Sequence, residues 1–113
     1  MLYCNNKAII KKVKIADSFF RKFKGLMFES KEKFDYALIF VLEKESRIRA
    51  SVHMLFVFFP IGILYLDKNK KVREKAILKP WRLNYTPKKP AKYFIEIPLE
   101  YLRKVEINDK IDW

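Results

Sequence analysis

Few side chains in this sequence are suited to bond-making chemistry. There is one histidine, His53, and one cysteine, Cys4. A histidine acting as general base or metal ligand needs partners that orient it or complete the site, and no second His or Cys supplies one. His53 is therefore read as a packed, hydrogen-bonded strand histidine. The enzyme alternative pairs it with a carboxylate such as Asp67. Cys4 has no basic neighbour in sequence closer than Lys7, so nothing local argues for an activated thiolate. Asp35, Glu43, Glu45 and Asp67 fall in or beside expected turns, where solvation accounts for them. No HExxH, GxSxG, phosphate-cradling glycine loop or EF-hand spacing occurs. No catalytic residue, metal site or cofactor is expected, and the weight falls on binding.

Two segments carry side chains suited to binding. Residues 79–93 interleave Trp81, Tyr85 and Tyr93 with Lys79, Arg82, Lys88, Lys89 and Lys92. Aromatic faces stack bases while cations hold phosphates, so this loop suits single-stranded nucleic acid. The bland reading is a proline-pinned loop whose Trp81 covers the core edge and whose lysines are solvated. The second segment is Phe56-Val57-Phe58-Phe59 before Pro60. Four consecutive apolar residues cannot all face one side of a strand. Some must line a pocket or form an exposed patch, as a small apolar ligand site or a surface for homodimerisation. The plainer alternative is that all four reach an unusually aromatic core. The ligand-binding candidates are His53, Met54, Phe56, Phe58 and Trp81.

Charge supports a polyanionic partner. Twenty-five basic against thirteen acidic residues give a formal charge of +12, a field that attracts nucleic acid, anionic lipid or phosphorylated ligands. Residues 75–95 contain no acid at all.

The elements that position these residues are short. Residues 8–15 fit a first strand, with Lys11 spoiling strict alternation. Asp17 or Ser18 then caps a short helix that stacks Phe19, Phe23 and Leu26, and Gly25 ends it. Residues 36–42 are a buried strand and 43–47 a charged turn. Strands follow over 49–55 and 63–67, separated by Pro60 and Gly62. Residues 67–70 form a turn, 72–78 a weaker strand, and 79–91 a loop. Residues 93–97 alternate as a clear strand, with Lys92, Phe94 and Glu96 on one side. Pro98 starts a short helix through Lys104, and a turn at Asn108-Asp109 leads to a last short strand. The sum is mainly β, α+β at the margin: a compact antiparallel barrel or sandwich with two short helices.

The chain of 113 residues is expected to be one domain, residues 1–113. One cysteine and the lack of a signal peptide point to the cytoplasm. Absent glutamine and abundant Lys, Glu and Ile resemble proteins from hot environments. Residues 50–66 carry no formal charge. That run is short of the ~20 residues a spanning helix needs, and His53, Pro60 and Gly62 interrupt it. No membrane span is expected.

Several elements, in order, resemble a known family. They are FKGLMF (23–28), IFVL (39–42), HMLFVFFPIGILYLD (53–67), KKV (70–72), LKPW (78–81), PAKYFIEIP (90–98) and IND (107–109). The pattern is similar to domain of unknown function 192, over about 100 residues from Ile15 onward, and looks closest to its archaeal branch. The resemblance implies a compact β-rich barrel or sandwich with short helices. It implies no activity, cofactor or partner. Many relatives carry Asn-Thr at Phe56-Val57, an aspartate at Gly62 and a tryptophan at His53. If those polar residues bind something in relatives, this chain has lost the site or changed its ligand. The usual glycine before Asp109 is Asn108 here, which still suits a turn.

Overall fold

The computed structural model describes residues 1–16 and 25–113. The short helix expected to be capped by Asp17 or Ser18, to stack Phe19, Phe23 and Leu26 and to end at Gly25 falls mostly on residues 17–24, outside the described residues. Among the described residues, eight strands form two sheets: β1 (Leu2–Cys4), β2 (Lys7–Ile10), β3 (Lys12–Ile15), β4 (Tyr36–Ser46), β5 (Ile61–Leu66), β6 (Val72–Leu78), β7 (Ala91–Pro98) and β8 (Ile111–Asp112). Lys31–Lys33 and Leu99–Lys104 are 3-10 helices. The large sheet has the order β3-β4-β7-β5-β6 and the small one β2-β1-β8. The fold is mainly β and sandwich-like, as the sequence indicates, but the sheets do not close into a barrel. Pairing is antiparallel except for β3 with β4, which is parallel.

Alternation puts a core on each face of the large sheet. On one face Ala37, Ile39, Leu64, Leu66, Ile95 and Ile97 pack against the small sheet and against Leu102 and Val105. On the other, Tyr36, Leu38, Phe40, Ile61, Ile63, Tyr65 and Phe94 pack against Ala50, Val52, Met54, Val57 and Phe59. Among the described residues no sheet covers this second face. Loops do, and loops held on a rigid scaffold are where binding groups concentrate.

Several expectations need correcting. The strand over 8–15 is two strands. The chain leaves the small sheet at Ile10 and enters the large one at Lys12, so the break in alternation at Lys11 is the crossover itself. Cys4 lies in β1, which also pairs with β8. β4 runs on to Ser46, through the expected turn at 43–47. Residues 49–55 are not a strand. Their alternation is real, with Ala50, Val52 and Met54 buried, yet Val52 forms only an isolated bridge with Tyr85.

The later elements match closely. β5 and β6 form a hairpin around residues 67–71. Asp67 Oδ1 accepts the N–H groups of Asn69 (2.8 Å) and Lys71 (3.0 Å). The residue that turns left-handed there is Lys70, with φ 63°. Asn108 has φ 77°, which is why glycine or asparagine suits that position. Gly62 lies inside β5, and a Cβ there would meet Leu102 Cδ1 and Ile97 Cγ1 at 3.2 Å. Its missing side chain lets the 3-10 helix Leu99–Lys104 settle on the sheet.

Candidate binding face

Loops 47–60 and 79–90 run past each other as an irregular ribbon over the second face. Arg47 Nε donates to Pro87 O (2.9 Å), and the Ser51 and Thr86 hydroxyls lie 2.8 Å apart. Val52 and Tyr85 exchange both backbone bonds (2.9 and 2.8 Å). Met54 N–H donates to Arg82 O (2.6 Å), and Met54 O accepts from Trp81 N–H (2.9 Å). These bonds satisfy the backbone of a segment that no sheet pairs.

The ribbon sorts the Phe-rich run by parity. Val57 and Phe59 turn into the core, while Phe56 and Phe58 turn out. Trp81 joins them, with ring centroids 5.0 Å from Phe56 and 5.5 Å from Phe58. A fourth ring arrives from the 25–28 turn. Phe28 stacks on Phe56 at 4.8 Å, and its N–H donates to Phe56 O (2.8 Å). The four remain open to solvent: Phe28 66%, Phe56 38%, Phe58 59% and Trp81 45% exposed. Phe28 was not singled out in the sequence, although it ends the GLMF element.

Three of these rings stand on strained backbone. Phe28, Phe56 and Trp81 have φ of 62°, 58° and 63°, the region that glycine normally fills. Lys79-Pro80-Trp81-Arg82 is a turn closed by Arg82 N–H to Lys79 O (3.4 Å). Proline at its second position is usual, but tryptophan replaces the expected glycine at the third.

The other candidates disperse. Met54 is buried beneath the patch. His53 is half-buried, and its Nδ1 accepts the Leu55 N–H at 3.2 Å. Tyr85 points inward, stacks on Tyr65 at 6.1 Å and donates to Glu74. Burial and that carboxylate push its hydroxyl up to about 12. Lys92 is tied to the carbonyls of Leu42 and Glu43. Lys79, Arg82, Lys88 and Lys89 stay at the surface. Phe59 instead lines a separate cleft of about 560 Å³ with Phe34, Pro60, Pro98 and Leu99, rimmed by Lys31, Glu32 and Glu100.

One buried acid escaped the sequence reading. Alternation puts Glu96 with Lys92 and Phe94 on the second side of its strand, and the loops cover that side. Glu96 is 4% exposed, between Leu38 and Ile63 on the central strand. Its Oε1 and the Tyr65 hydroxyl have no hydrogen-bond partner among the described residues. Burial pushes its carboxyl up to about 8, so it holds its proton at neutral pH. Gly25 lies over it, where a Cβ would come within 3.6 Å of Oε1.

On the opposite side, the Cys4 thiol donates to Asp109 Oδ2 at 3.3 Å. Burial, reinforced by that carboxylate, pushes the thiol up to about 11, against nucleophilic use. Among the described residues no group of three or more His, Cys, Asp or Glu is placed to hold a metal ion. No described helix is long and apolar enough to cross a membrane.

Similar proteins share this fold. A UPF0127 protein of Pyrococcus furiosus is 45% identical over 109 residues, covering 95% of this chain and 90% of that protein. One of Pyrococcus horikoshii is 46% identical over 103 residues, covering 89% and 86%. One of Thermococcus sibiricus is 45% identical over 105 residues, where the match spans 66% of the relative. Among crystal structures, a protein of unknown function from Novosphingobium aromaticivorans superposes with a TM-score of 0.75 at 20% identity, over 89% of this chain and 74% of that one. A Sinorhizobium meliloti protein named as a candidate transcription regulator superposes at 0.77 and 15% identity, over 88% and 79%. At these identities the likeness shows the fold alone. The profile of DUF192, described as "Uncharacterized ACR", matches residues 3–113, so the chain belongs to this family, whose function is unknown.

Proposed function

We propose that this chain is a binding domain whose contact surface is the aromatic cluster of Phe28, Phe56, Phe58 and Trp81. The observation that carries the reading is the left-handed backbone under three of the four rings. Such a conformation costs a residue with a side chain about 1–2 kcal/mol. Here it serves to hold apolar rings in water, which returns little stability. Strain of this kind gathers where a surface is shaped for a partner. The rings are spread over three loops, which suits a macromolecule, and the surrounding cations favour a polyanion. A second copy of the chain, docked patch to patch, is the competing occupant. A single domain over residues 1–113, working in the cytoplasm, belongs to the same reading; the family match over residues 3–113 supports the first part of it.

Amide and indole NMR shifts test this reading. Oligonucleotide, anionic vesicles and rising protein concentration are titrated in turn. At least one is expected to move the Trp81 indole with the amides of residues 28, 56 and 58. If all three leave those signals in place, the reading fails.

The cleft beside Phe59 supports a second, smaller role: a site for a small apolar ligand held by Phe34, Pro60, Pro98 and Leu99. Indole titrated alone is expected to shift Leu99 and Phe34 while sparing Trp81.

A further inference from the structure

We infer that the partner of the aromatic face is a single-stranded nucleic acid. This rests on the reading of that face as a contact surface and names its ligand.

The first ground is charge. The chain holds thirteen acids, yet none falls between Ser46 and Leu66 or between Lys75 and Ile95. Those stretches supply both loops of the ribbon. They carry Arg47, Arg49, Lys79, Arg82, Lys88 and Lys89 instead. The side chains of Lys79, Lys88 and Lys89 have no partner among the described residues. Arg47 and Arg82 are fixed through Nε to Pro87 O and Asn84 O, each at 2.9 Å. That bond uses one of the five guanidinium donors and orients the rest. Among the described residues the one ion pair in this set joins Arg49 to Glu43, 3.9 Å apart with both side chains largely exposed, a contact of little energetic weight; Glu74 meets the set through the Lys88 backbone N–H, at 2.9 Å.

The second ground is placement. Lys79 and Arg82 flank Trp81 in sequence and stand together at the base of its turn, within about 7 Å of each other, with the Arg82 guanidinium over the Tyr85 ring at 5.1 Å. A base stacked on the indole would have this pair of cations at one end of the ring surface, where a phosphate of the same strand can meet them. Phe58 and Phe28 extend the ring surface in both directions from the Phe56–Trp81 contact. Base faces are open to such rings only when a strand is unpaired. Among the described residues no α-helix is present to enter a major groove. An acidic peptide would use the cations but leave the rings idle. An anionic membrane would use both, and it is the outcome the experiment must separate.

The full chain is titrated by fluorescence anisotropy with labelled oligodeoxythymidine of about 15 nucleotides. An abasic oligomer of equal length presents the same phosphates without bases. At about 0.1 M salt, oligodeoxythymidine is expected to bind at least about tenfold tighter than the abasic oligomer. Trp81→Ala and Phe58→Ala should each erase most of that difference, with thermal melts confirming that both fold. Lys79→Ala and Lys88→Ala should each lower the slope of log affinity against log salt by about one. Equal affinity for the two oligomers, or base-dependent binding that survives both ring substitutions, overturns the inference. If neither oligomer binds, but the chain associates with itself or with phosphatidylserine vesicles in a manner that Phe58→Asp abolishes, the nucleic-acid assignment falls and the contact surface stands. If Phe58→Asp changes none of these, both fall.

Discussion

Replacing Glu96 by glutamine should make the protein more stable, by an amount that grows with pH. The carboxyl lies inside the core, and burial raises it from 4.5 to about 8. In the unfolded chain it titrates near its ordinary value. Between those two values the folded state binds a proton that the unfolded state has lost, so stability falls as pH rises. Below about 4.5 both states are protonated and nothing is lost. Above about 8 both are ionised and the loss stops growing. At about 1.4 kcal/mol for each pH unit of separation, the full loss is about 5 kcal/mol, of which about 3 kcal/mol is present at neutral pH. Glutamine keeps the shape and removes the ionisation. Chemical denaturation of both chains near pH 4, 7 and 9 should show a difference near zero, about 3 and about 5 kcal/mol. Other titrating groups cancel in that difference. A gap that does not widen with pH, or a Glu96→Gln chain that is less stable at high pH, would show that the carboxylate has a stabilising partner and refute the reasoning.

Other outcomes follow from the same geometry. Gly62→Ala should cost about 1–3 kcal/mol in a urea melt, because its Cβ would meet Leu102 and Ile97 at 3.2 Å. Trp81→Gly should leave thermal stability within about 1 kcal/mol, since relief of the left-handed strain offsets the lost ring contacts. The same substitution should remove binding at the aromatic face, as read by anisotropy. Cys4, raised from 9.0 to about 11, should react with a disulfide reagent near pH 8 about a hundredfold more slowly in the folded chain than in denaturant. Equal rates would mean that the thiol is neither buried nor held by Asp109.

The legible parts of the fold were those with local causes. Asp67 marks its turn because its own carboxylate closes it, and Asn108 because its dihedral is one that asparagine tolerates. β5, β6, β7 and the Leu99–Lys104 helix follow from period and from Pro98. The misread parts depend on distant contacts. Ala50, Val52 and Met54 alternate as a strand does, but their backbone partners are the irregular loop at Arg82 and Tyr85. Glu96 alternates as a surface residue does, and only the loops arriving from elsewhere in the chain make it a core residue. Of the candidates His53, Met54, Phe56, Phe58 and Trp81, the three rings meet at 5.0 and 5.5 Å, while Met54 is buried. Phe28 was missed because nothing in its neighbourhood announces a left-handed aromatic. Tyr85 and Lys92 were misplaced because sequence spacing does not show which way a loop residue turns.

The outer strands of the large sheet carry one more consequence. β3 ends the sheet with Lys12 and Lys14, and β6 ends it with Arg73 and Lys75, whose Nζ donates to Leu102 O and Val105 O. A neighbouring molecule that tried to add its own strand at either rim would bring lysine against lysine. Edge-to-edge pairing is thereby discouraged at both rims of the large sheet. Association through the four exposed rings would then use loops rather than strand edges.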